Sequence, residues 1–164
     1  MKRVNLILYN EQYRLYLLKN KAPEEYRQFC THNFEHMLTV SRLTYLLLLE
    51  SGCNLIDKEL AYAAGLLHDI GRWKEYQDGT DHAAYSACLA GPILDQAGFE
   101  IVEQELIVTA IAQHRHKEAE GMHRSPLSEA LSQADSLSRL CFQCSAIKSC
   151  KCPEQRPHYK GLNY

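Results

Sequence analysis

His68 and Asp69 stand side by side at the end of the apolar run "AAGLLHDIGRWKEY", an imidazole and a carboxylate delivered to the edge of a greasy segment. Three residues of the same chemistry sit beside apolar neighbours elsewhere: His36 in "FEHMLTVSRL", His114 in "AIAQHR" and Asp135 in "SQADSLSR". Imidazole nitrogen and carboxylate oxygen suit a divalent transition metal, or manganese or magnesium where oxygen ligands predominate. Buried without a partner, such groups would carry a large desolvation cost, which a shared cation offsets. A histidine beside an aspartate is equally well an ion pair at a helix end, so the weight rests on the whole set.

The elements that must position these residues read as helices. Apolar residues recur at helical spacing in almost every long segment, and no alternating run is long enough for a sheet, so the expected fold is all-α. A first helix is expected over much of residues 2 to 19, and Pro23 is placed at a helix start with Glu24 and Glu25 at the positive end of its dipole. Thr31 is read as the cap of a long helix ending before Gly52, and Asp57 as the cap of one ending near His68, with Gly71 permitting the following turn. Asp81 caps a segment ending at Gly98, which Pro92 is expected to kink or divide. A helix near Ile101 to His114 follows, and another starts at Ser125 and Pro126. From about Ala146 the chain reads as an irregular extension.

At 164 residues the chain suits one domain burying roughly 70% of its unfolded surface. With 46% hydrophobic residues, 23% charged residues and a formal charge of −2, it has no basic excess for a nucleic-acid polymer. "LTYLLLLE" is too short for a membrane span, and the N-terminus lacks a signal-peptide cleavage site, so a cytoplasmic location and no membrane partner are expected. Seven cysteines, an odd number unevenly spread, read as reduced thiols rather than a secreted disulfide framework.

With "GLLHDIGR" and "ADSLSR" as its most recognisable words, the spaced pattern His36, His68-Asp69, Asp135 resembles that of the HD-domain metal-dependent phosphohydrolase superfamily. The resemblance covers about residues 26 to 140 and implies an HD-domain-like helical bundle, read as a single HD-type domain over 1–164 with a cysteine-containing extension at about 141–164. It assigns His36, His68, Asp69 and Asp135 to a first metal. His82 and His114 stand where many members bind a second metal or contact phosphate, which makes Asp69 the bridging carboxylate and gives Asp69, His82 and His114 the catalytic roles. The cofactor implied is one or two divalent ions of Mn, Fe, Co, Ni, Mg or Zn. The activity implied is hydrolysis of a small phosphorylated metabolite, foremost a nucleotide, by a water activated at the metal. Arg72 follows the HD pair where a basic residue is usual and is assigned to substrate phosphate. Lys74, Arg115 and Arg139 are weaker candidates. Two other readings share the ligand set: a di-iron oxygenase of the same family, and a non-catalytic nucleotide-binding regulatory module. A homodimer is left open.

Other residues carry less signal. His32 precedes His36 by four positions, on the same face of the expected helix, and is read as supporting the centre from behind the ligands or as lying at the surface. His116, His123 and His158 fall in polar loop-like sequence, and the tyrosines of "YNEQYRLYLL" read as packing or a partner surface. Cys141, Cys144, Cys150 and Cys152 supply enough thiolates for one structural zinc, at gaps unlike those of a common finger.

Overall fold

The computed structural model describes residues 1–115, 124–150 and 153–162. Among these the fold is all-α, with eight helices: α1 (Lys2–Tyr9), α2 (Glu11–Glu24), α3 (Phe34–Glu50), α4 (Lys58–Leu67), α5 (Arg72–Asp78), α6 (His82–Gln96), α7 (Ile101–Gln113) and α8 (Pro126–Leu137). Short 3₁₀ turns follow at Cys141–Gln143, Ile147–Ser149 and Pro153–Gln155. No helix among the described residues is long and apolar enough to cross a membrane.

Helix α4 is the axis of the bundle. "KELAYAAGLL" buries Leu60, Ala61, Ala63, Ala64, Gly65, Leu66 and Leu67, because α1, α3, α6, α7 and α8 all pack on it. Small residues let the neighbours come close. A Cβ on Gly65 would lie 2.4 Å from the Ser41 Cα of α3, so the two backbones cross where only glycine fits. Ser41 completes the crossing by donating its hydroxyl to the carbonyls of Met37 and Tyr62, at 2.8 and 3.2 Å.

Several local expectations give way to specific contacts. The first helix is two, because Asn10 adopts an extended backbone and its side chain accepts the N–H groups of Gln12 and Tyr13, capping α2. Pro23 does not start a helix but lies in the last turn of α2. Glu24 therefore sits at the negative end of a dipole, yet it is buried there by bonds from His32 and Tyr76 that replace solvent. Asn33, not Thr31, caps α3 by accepting the His36 N–H at 3.0 Å. Pro92 neither divides nor ends α6, since it lies on the exposed face, where water can satisfy the carbonyl its missing N–H leaves open. Asp57, Asp81 and Ser125 cap α4, α6 and α8.

Gly65→Ala is expected to lower unfolding free energy by about 2–3 kcal/mol, since the added methyl meets backbone rather than a movable side-chain tip. Urea denaturation would check this. A variant as stable as the parent would show that α3 and α4 cross farther apart.

Candidate metal centre

The chemistry-bearing residues sit at helix ends, and the helix ends converge. His36 lies in the first turn of α3, His68 closes α4, Asp69 follows it, His82 opens α6, His114 closes α7 and Asp135 lies near the end of α8. His36 Nε2 is 3.7 Å from Asp69 Oδ2 and 3.3 Å from Asp135 Oδ1, and His68 Nε2 is 3.2 and 3.8 Å from the same two oxygens. On the other side of the carboxylate, Asp69 Oδ1 is 3.1 Å from His82 Nε2 and 3.8 Å from His114 Nε2. Two sets spaced for a shared ion result, His36-His68-Asp69-Asp135 and Asp69-His82-His114, with Asp69 common to both.

Each imidazole is held by its other nitrogen. His68 and His114 use Nδ1 to donate to the Gly65 and Ile111 carbonyls, at 2.8 and 2.7 Å, groups that a helix C-terminus leaves open. That is the advantage of placing a histidine at the end of an apolar helix: the helix fixes the tautomer and turns Nε2 inward. His36 Nδ1 meets Ser138 Oγ at 3.1 Å, and Ser138 in turn donates to the Asp135 carbonyl. His82 Nδ1 meets Glu75, which also pairs with Arg72 at 2.9 Å and Arg115 at 3.0 Å. The turn carrying Asp69 is clamped by buried Asn20, which donates to the Asp69 carbonyl and accepts the Trp73 N–H, both at 2.8 Å. Gly71, expected to permit a special turn, has φ −96°; what it provides is room, because a Cβ there would lie 2.9 Å from the Ser86 nitrogen.

The electrostatics call for a cation. Burial works to raise the Asp69 carboxyl, but charge on His68 and the close approach of the His36, His68 and His82 rings outweigh it and hold the group well below the usual carboxylate range. Asp135 is likewise held low against burial by His36 and His68. Burial works against charge on His68, yet the two acids push it up to about 10. His114, buried and beside His68, falls to about 4 and is neutral at ordinary pH. Among the described residues, His68 Nε2, Asp69 Oδ1 and Asp135 Oδ1 are buried with no hydrogen-bond partner, the inward-facing atoms a divalent ion would take up. His36 Nε2 instead receives Arg139 Nη2 at 2.9 Å, so a guanidinium already brings positive charge to that corner.

Sequence reasoning missed some of the residues around this centre. His32 precedes α3 rather than sharing its face, and it is buried, with Nε2 3.9 Å from Asp69 and Nδ1 bound by Glu24. Glu75 and Asn20 lay unnoticed because nothing in their local sequence marks them. The Arg72–Glu75 spacing becomes informative only once α5 is known to be a helix. Lys74 pairs with exposed Asp78, whereas Arg72, Arg115 and Arg139 line the cavity above the centre. His158, read as loop polarity, is fully buried within the C-terminal extension, where its carbonyl accepts the Phe142 N–H. Cys141, Cys144 and Cys150 are not gathered within reach of one ion. Cys152, His116 and His123 lie outside the described residues.

An all-α bundle with this buried histidine and aspartate cluster fits a divalent metal site. The family profile of the HD domain matches residues 33–140, and the chain belongs to that family. It is 36% identical over 160 residues to an uncharacterised protein of Clostridium beijerinckii, with 98% of each chain covered. It also resembles the crystal structure of a predicted HD superfamily hydrolase from an uncultured Thermotogales bacterium, with a TM-score of 0.58 and 27% identity over 77% of this chain and 66% of that one.

Manganese, cobalt or nickel is expected to raise the melting temperature of chelator-treated protein, with up to two ions per chain by elemental analysis. Asp69→Asn should lose both ions, and His114→Ala only one. Asn20→Ala should weaken metal binding roughly ten-fold through the freed Asp69 turn. Full metal content in Asp69→Asn would refute the shared-carboxylate arrangement.

Proposed function

We propose that the protein hydrolyses a phosphate ester or anhydride of a small phosphorylated metabolite, foremost a nucleotide. One observation carries the reading: two metal-binding sets share Asp69 at the wall of a cavity of about 1130 Å³ that is also lined by Arg72. Membership of the HD family supports a metal-dependent hydrolase. A bound divalent ion would supply Lewis-acid polarisation of a phosphoryl oxygen and lower the pKa of a water.

The chain's own groups do the positioning. His36, His68, Asp69 and Asp135 would hold one ion, and Asp69, His82 and His114 a second. Glu75 fixes both the His82 ring and the Arg72 guanidinium, so ligand and phosphate-binding group are set by the same carboxylate. Arg72 can offer two parallel N–H donors to phosphoryl oxygens. In the reaction a water oxygen joins phosphorus, the bond from phosphorus to the leaving oxygen breaks, and that oxygen gains a proton.

Protein of verified metal content is expected to release phosphate from at least one member of a panel of nucleotides and sugar phosphates. Arg72→Lys should raise KM about ten-fold, because ammonium lacks the planar fork. A panel with no turnover under manganese, cobalt, nickel or magnesium would reject the reading.

A further inference from the structure

The cavity above the metal centre is walled by six arginines, Arg27, Arg72, Arg115, Arg124, Arg139 and Arg156, while Asp69 and Asp135 are its only lining acids among the described residues. Five separate segments contribute them: Arg27 from the stretch after α2, Arg72 from α5, Arg115 and Arg124 from the connection between α7 and α8, Arg139 from the stretch after α8, and Arg156 from the C-terminal extension. Glu75 compensates Arg72 and Arg115, and Arg139 faces Asp135 at 3.7 Å. No carboxylate among the described residues pairs with Arg27, Arg124 or Arg156.

Arg27 and Arg124 are nevertheless held in place. Arg27 stacks over the Tyr76 ring at 5.2 Å, and Arg124 donates to the carbonyls of Gln113 and Ser128 at 2.9 and 3.3 Å. Among the described residues, the Nε groups of both are buried without an acceptor. Like charges gathered around one cavity repel, and an anion that enters it relieves the repulsion.

One phosphoryl group is too small for this surface. A bound metal and Arg72 would take up its few free oxygens, which leaves Arg27, Arg124 and Arg156 facing a cavity of about 1130 Å³, at the upper end of the roughly 300–1,000 Å³ usual for small-ligand pockets. We infer that the substrate is a polyanion bearing two or more phosphoryl groups, one at the metal centre and the others on the arginines without a carboxylate partner. This rests on the hydrolase reading for the reaction and adds the charge class of the substrate. It also gives the C-terminal extension a role, since Arg156 belongs to it.

The test compares a nucleoside 5′-monophosphate, a nucleoside 3′,5′-bisphosphate, a nucleoside triphosphate and inorganic tripolyphosphate on full-length, metal-loaded protein. At least one compound with several phosphates should exceed the monophosphate about ten-fold or more in kcat/KM. Arg124→Gln and Arg156→Gln should each cut that ratio by a further ten-fold or so, and Arg156→Lys should recover part of it. Circular dichroism and metal content confirm that each variant is folded. Tripolyphosphate performing as well as the nucleotides would show that charge alone is read, and weaker performance that the nucleoside is read too. Binding of a non-hydrolysable imidotriphosphate, measured by calorimetry and dependent on Arg124 and Arg156, would uphold the polyanion site even if nothing were hydrolysed. Efficient monophosphate turnover with no preference for added phosphates, and equal losses in both glutamine variants, would overturn it while leaving the hydrolase intact.

Discussion

One buried carboxylate organises this molecule. Asp69 points an oxygen at each of two pairs of imidazoles, and a negative charge at that depth is tolerable only with positive charge around it. The bundle is arranged to bring those charges in. Helices α3, α4, α6 and α7 each bring an imidazole close to Asp69, and α4 carries small residues where its neighbours approach. Stability and chemistry therefore draw on the same feature. The packing that places Asp69 in the core creates the demand for a cation.

A second layer keeps the imidazoles in register. Backbone carbonyls at helix ends fix His68 and His114, Ser138 fixes His36 and Glu75 fixes His82. Glu75 and Asn20 come from short or peripheral elements, yet each ties two parts of the centre together. Packing around the site is thus as specific as the ligands themselves.

The all-α fold and the caps at Asp57, Asp81 and Ser125 were legible because periodicity and capping chemistry are local signals. The residues that converge on the centre were legible chiefly through the spaced pattern that resembles the HD domain, to which apolar neighbours added weight at His36, His68, His114 and Asp135, while His82 came from the resemblance alone. Contacts made across the fold were not visible. Asn10 breaks a helix that periodicity joins, Glu24 is buried at an unfavourable helix end by His32 and Tyr76, and Pro92 is absorbed where water replaces its missing donor. The short helix α5 left no periodic trace, so Glu75 could not be placed.

The walls of the cavity come partly from outside the stretch that builds its floor. Residues 33–140 match the family and contain all six ligand candidates, while Arg27 precedes that stretch and Cys150 and Arg156 follow it. Arg27 and Arg156 thus add to the cavity walls from outside the matched stretch, while Arg72, Arg115, Arg124 and Arg139 lie within it. Substitutions in the flanking segments would alter the cavity walls while leaving all six ligand candidates in place.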